Sequence, residues 1–233
     1  MTKNQRRELQ GKHVKRLMAA PPDSVRRRWK RWLLGRLSGE VAELFRHIEI
    51  YESLVAMVKV NDALLEPPVF FIWLKNSYVT AIAMGIRRQL DCDPRSVSLG
   101  ILLREAELRH SLISRKCFRA MMRRKGLTPE EADGDLRRRI GSTTFKVAMA
   151  TADIRRLERA ENRIRRLVNK RIAHTGLLSE MRKPPTFDEI KKAVEEIDKV
   201  YVKYDAIIAG GGLTTARVTM LDWSRVLAIP WRR

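Results

Sequence analysis

Nowhere in this chain of 233 residues do apolar and polar side chains alternate with a period of two; where a pattern exists, it is helical. The clearest case follows Pro184-Pro185. Thr186-Phe187-Asp188-Glu189 has the form of a capping box, in which a threonine hydroxyl accepts from the amide three residues on and a glutamate reaches back. Ile190, Val194, Ile197, Tyr201, Tyr204 and Ile208 then make one stripe, and Gly210-Gly211-Gly212 ends it. Such units assemble into an all-α bundle, and a chain of this length can bury the core of one without disulfides or bound metal.

The other helices follow from the same period. Val25, Trp29, Trp32, Leu33 and Leu37 recur at helical spacing, with Arg26, Arg27, Arg28, Lys30, Arg31 and Arg36 between them. This reads as a basic amphipathic helix with its tryptophans on the bundle and its arginines outward. A long helix is expected over 39–61, with Val41, Leu44, Phe45, Ile48, Tyr51, Val55 and Val58 as its stripe. A second runs over 69–90 through Ile72, Val79, Ile82, Ala83, Ile86 and Leu90, and Asp91-Cys92-Asp93-Pro94 breaks it. Ser96 would cap a short helix through Leu99, Leu102 and Leu103. Thr128-Pro129-Glu130-Glu131 starts another, which Gly134 weakens, and a fourth major helix runs from Thr144 or Thr151 to His174, with Gly176 as its stop. The organisation read from this has three parts. Residues 1–37 are a basic extension whose first 24 form an arm, 38–210 are a bundle of four to five main helices, and 211–233 are a tail that docks through Leu221, Trp223, Val226 and Leu227.

Charge narrows the partner. Lys plus Arg number 48 against 27 Asp plus Glu, a net +21, which favours a polyanion, RNA above all. Cys92 and Cys117 have no CxxC spacing, and the basic N-terminus has no apolar stretch behind it, so a cytoplasmic protein is expected. The apolar run 68–86 is interrupted by Lys75-Asn76-Ser77 and reads as a buried helix; membrane insertion is not expected. No GxxxxGK[ST], GxSxG or HExxH occurs, and the four histidines have no metal-ligand spacing, so neither metal nor cofactor is expected.

One segment has the makings of chemistry. On an ideal helix Ile154, Leu157, Ile164, Val168 and Ile172 share one sector, while Arg163, Arg166, Lys170 and His174 share another almost opposite. An imidazole exchanges protons near neutral pH, and cations around it stabilise a charged phosphorane. The plainer reading is a solvated basic face with an incidental histidine near a helix C-terminus, where positive charge is favoured anyway.

The run Asn169-Lys170-Arg171-Ile172-Ala173-His174-Thr175, followed by Pro185-Thr186-Phe187-Asp188-Glu189-Ile190, resembles the end of a HEPN domain of the AbiU-like kind associated with abortive infection. Trp73-Leu74-Lys75-Asn76-Ser77-Tyr78, Arg87-Arg88-Gln89-Leu90-Asp91 and Ser96-Val97-Ser98-Leu99 extend the resemblance, which covers about residues 40–210. It implies a helical bundle that forms a homodimer, bringing two Arg-x(4–6)-His motifs into one cleft. It also implies a metal-independent endoribonuclease of the phage-defence or toxin type, with a cognate antitoxin as a further partner. In that scheme His174 is general base or acid, Asn169 orients, and Arg166, Lys170 and Arg171 hold the phosphate. Arg88 and Asp91 would line the same cleft, and Arg163 and Arg165 would bind nucleic acid. Outside the resemblance, the basic face of Arg26, Arg27, Arg28, Lys30 and Arg31 offers nucleic acid a further surface by its charge. The motif arginine itself is missing. Leu167, Val168 and Asn169 occupy the three permitted spacings, Arg166 lies one residue too far and Arg171 too near. Two other readings therefore stand beside the nuclease: a non-catalytic RNA-binding or ribosome-associated protein, and a membrane-surface or antitoxin-binding role for residues 25–37.

Overall fold

The computed structural model describes residues 3–60, 68–168 and 185–212, without the side chains of Lys3, Asn4, Arg6, Arg163 and Arg166. Among the described residues there are nine α-helices and no strand. α1 (Lys3–Ala19) occupies most of the stretch read as an arm, and Leu17 near its end is buried in the core. Its C-terminus is closed from far along the chain: Arg109 Nη1 donates to the carbonyls of Leu17 (2.6 Å), Met18 (3.1 Å) and Ala20 (3.3 Å). Those are among the last carbonyls of a helix, which have no partner within it.

α2 (Pro22–Trp32) begins with proline, where the missing N–H costs nothing, and has Asp23 in its first turn. It passes without a loop through one π-helical turn, Leu33–Leu37, into α3 (Ser38–Val60). Val25, Trp29, Leu33, Leu37 and Val41 are all essentially buried. Their spacing of four would drift about 40° per step around an ordinary helix. The wider turn takes up the drift and keeps the row facing the core.

Four helices form the centre: α3, α4 (Pro68–Gln89), α8 (Val147–Leu167) and α9 (Phe187–Tyr204). α3 and α4 are antiparallel, with Gln89 Nε2 donating to Glu40. α9 runs back along α3. Lys191 meets Glu52 at 2.5 Å and Tyr51 stacks on Phe187 at one end; Tyr201 Oη donates to the Leu33 carbonyl at the other. α8 opposes α9 through Lys203–Asp153 (2.6 Å) and Arg156–Glu196 (3.0 Å). Gly85 lets α4 approach α3: a Cβ there would lie 2.6 Å from Leu44 Cδ2.

The run 68–86 is a buried helix only in its C-terminal half. Ile82, Ala83 and Ile86 are sealed, whereas Val69 is 72%, Phe70 60%, Ile72 55% and Trp73 59% exposed. Among the described residues α4 is the one helix long and apolar enough to cross a membrane. α5 (Leu99–Leu108) is capped by Ser98 and not by Ser96. Ser98 Oγ accepts from Ile101 N at 3.1 Å, while Ser96 Oγ is already donating to the Asp93 carbonyl in the preceding turn. α6 (Arg115–Arg123) follows, then α7 (Pro129–Ile140), which runs straight through Gly134 to Gly141, whose φ is +68°. The boxes at Thr128–Glu131 and Thr186–Glu189 both form. α9 ends in a π turn, Asp205–Ala209, closed by Gly210 at φ +78°.

Candidate nucleic-acid interface

α8 is amphipathic, with Leu157, Ile164 and Val168 buried and Ile154 half-buried, as its spacing predicts. Arg155, Arg156, Arg159 and Arg165 are exposed. Arg156 pairs with Glu196 and Arg165 donates to Asn162 Oδ1 at 3.3 Å, whereas Arg155 and Arg159 have no ion pair among the described residues. Asn169, Lys170, Arg171 and His174 lie outside the described residues, as does Ile172 of the apolar sector; of Arg163 and Arg166 only the backbone is described. The missing motif arginine gains a physical meaning. Leu167 is 5% and Val168 1% exposed, so two of the three permitted spacings are core positions here.

α8 packs along α5 and leaves a cleft of about 670 Å³ between them. Arg104, Arg155, Arg159 and Arg165 line it, with Leu90 and Cys92 at its end. Arg104 spans the gap, its Nε–H donating to Cys92 Sγ at 3.2 Å and its Nη2 to Glu158 at 3.3 Å. Burial pushes the Glu161 carboxyl up from its ordinary range, against the opposing pull of Arg165 and Arg87. Arg88 and Asp91 stand exposed beside this cleft but do not line it; Asp91 Oδ1 accepts from the Asp93 amide at 3.0 Å.

The α2 cations go elsewhere. Arg26, Arg27 and Lys30 line a separate groove of about 370 Å³ against Arg124, just past α6. Arg31 is exposed and lines neither. Arg28 is not directed outward with them. Its guanidinium binds the buried Glu105 and lies 5.0 Å over the Trp32 ring, because Glu105 is 1% exposed and needs donors. Trp29 Nε1 (2.6 Å) and His13 Nε2 (2.9 Å) complete that cluster, tying α1 and α2 to α5. Lys116, Arg123 and Arg124 were not singled out by periodicity. The signal for them is the run of cations from Arg115 to Lys125, where Phe118 and Met122 alone mark the buried side. Among the described residues no group of three or more His, Cys, Asp or Glu is placed to hold a metal.

The family model of AbiU2, a HEPN family, matches residues 28–226. The chain belongs to this family. The AbiU2 match begins inside α2, runs past α9 and takes in residues 169–174; the all-α bundle is HEPN-like. It associates the chain with HEPN-type function in abortive infection. No curated protein and no solved structure matches the chain significantly.

Proposed function

We propose that this AbiU2 protein is a metal-independent endoribonuclease of the phage-defence type. The observation that carries the reading is the family match through residues 169–174, continuous with an α8 that turns its aliphatic side inward and Arg155, Arg159 and Arg165 to solvent. His174 takes the proton of a ribose 2′-hydroxyl as the 2′-oxygen attacks phosphorus, and the 5′-oxygen leaves with a proton returned to it. That leaves a 2′,3′-cyclic phosphate and a 5′-hydroxyl. With core aliphatics at 167 and 168, the phosphate charge falls to Arg166, Lys170 and Arg171, and Asn169 orients the histidine. Two copies of the chain form the cleft, in the cytoplasm, and a cognate antitoxin restrains them.

The test is cleavage of RNA by purified protein in the presence of EDTA. Wild type should give cyclic-phosphate ends, and His174→Ala should abolish them. Equal cleavage by the variant removes His174 from the mechanism.

A second reading, an RNA-binding protein without turnover, is favoured by the burial of Leu167 and Val168. It predicts binding that weakens steeply with salt and no products. Insertion of residues 25–37 into a membrane surface is disfavoured, because Val25, Trp29, Leu33 and Leu37 are already spent on the core.

A further inference from the structure

Six cations fall between Arg115 and Lys125, and the nuclease reading uses none of them. α6 buries Phe118 and Met122, which turns the charged residues to the opposite side. Asp133 binds two of them: its Oδ1 accepts from Arg115 Nε and Arg119 Nε, each at 2.8 Å. Those two guanidinium groups hold the Asp133 carboxyl far below the usual carboxylate range. One negative charge therefore fixes two positive ones and leaves a surplus. Lys125 donates to the Gly210 carbonyl, anchoring the end of α6 to the end of α9. Lys116, Arg123 and Arg124 have no ion pair among the described residues.

These side chains surround two hollows. The first holds Arg26, Arg27 and Lys30 of α2 opposite Arg124; the second, of about 500 Å³, holds Arg115, Lys116, Arg119 and Arg123. Ala120 lines both, so the small side chain in mid-α6 is the only residue they share. The carboxylates facing this surface are Asp23, 4.0 Å from Arg26, the half-buried Asp205, whose carboxyl burial pushes up against the pull of Lys125, Arg139 and Lys30, Asp133, and Glu130, whose charge acts on Arg119. Cations outnumber them across both hollows. Neither the α5–α8 cleft nor its lining residues take part.

The geometry points to this double hollow as a path for the sugar–phosphate chain of a bound RNA. It rests on RNA being the ligand, not on cleavage. α6 is about 13 Å long at 1.5 Å per residue. At roughly 3.4 Å per phosphate along a stacked strand, it accommodates about four phosphates. Guanidinium forks suit such oxygens and read no base, so binding here is independent of sequence. A bilayer fits worse, since the apolar side of α2 is buried and offers nothing to insert.

The experiment measures affinity for a labelled single-stranded RNA between about 50 and 200 mM salt, in a His174→Ala background so that the RNA stays intact. The triple variant Arg27→Gln, Lys30→Gln, Arg124→Gln is compared with Lys15→Gln, Lys146→Gln, Lys192→Gln, which removes the same charge from exposed sites elsewhere. Each single-strand phosphate contact contributes about 0.7 to the slope of log K against log salt, so the groove variant should lower it by about 2 and the control by less than 1. Equal losses in the two variants, or no RNA binding at all, overturn the path. So does a groove variant that keeps its RNA slope but no longer sediments with phosphatidylserine vesicles. A lowered slope in a protein that cuts no RNA refutes the nuclease and leaves the path standing. An unchanged slope with His174-dependent cutting does the reverse. Melting curves of all variants check that these surface changes leave the fold intact.

Discussion

Glu105→Ala should lower stability by about 3 kcal/mol, and the figure can be built from the contacts. The carboxylate is 1% exposed and accepts from Trp29 Nε1–H and the Arg28 guanidinium, with His13 Nε2 2.9 Å away. Its removal strands the indole N–H, and a buried donor without an acceptor costs about 1–3 kcal/mol. The Arg28 side chain is 29% exposed and can turn to water, so its lost pairing is discounted to about 1 kcal/mol. At this chain length each kcal/mol moves the melting point by about 2–4 °C, giving a drop of roughly 6–12 °C. Thermal melts followed by helical circular dichroism read the change. Trp29→Phe, which deletes the N–H and keeps the ring, closes a double-mutant cycle that should show coupling of at least about 0.5 kcal/mol. A loss below about 1 kcal/mol, or an additive cycle, would refute the idea that this carboxylate ties α2 to α5.

Three further outcomes are expected. Because the folded-state pKa of Asp133 is depressed, its stabilisation is fully present above the unfolded value near 3.9 and fades on acidification; urea titrations should show the gap between wild type and Asp133→Asn closing from about pH 5 downward. Gly210→Ala places a side chain at φ +78° with its Cβ 3.0 Å from Met121 Sδ, and should cost about 1–2 kcal/mol by equilibrium unfolding. Thr186→Ala removes the acceptor for Glu189 N and should cost about 1 kcal/mol, whereas Thr186→Ser should restore most of it.

The elements legible in the sequence are those whose signals are local. Both capping boxes, the α9 stripe and its glycine stop are written in neighbouring residues, and the structure forms each of them. α1 left little trace because its fixing contact comes from Arg109, some ninety residues on, and because Leu17 is its one fully buried apolar residue. The Ser96 cap failed because two serines compete and a turn at Pro94 claims the first. In α4, Val69 to Trp73 are apolar on every side, so no periodicity distinguishes the packed half from the bare one. Of the candidate site, the sidedness of α8 was readable as far as Val168. The convergence of α2 and α6 was not, since the two are some ninety residues apart and nothing local to either names the other as its neighbour.

The π turn between α2 and α3 makes the count of residues a control over aim. Deleting one residue within Leu33–Leu37 would restore ordinary winding and revolve everything ahead of it by about a hundred degrees. Trp29 would swing out of its socket, and Arg27 and Lys30 would point away from α6. A loop absorbs a lost residue by shortening; this junction would convert it into a misdirected surface.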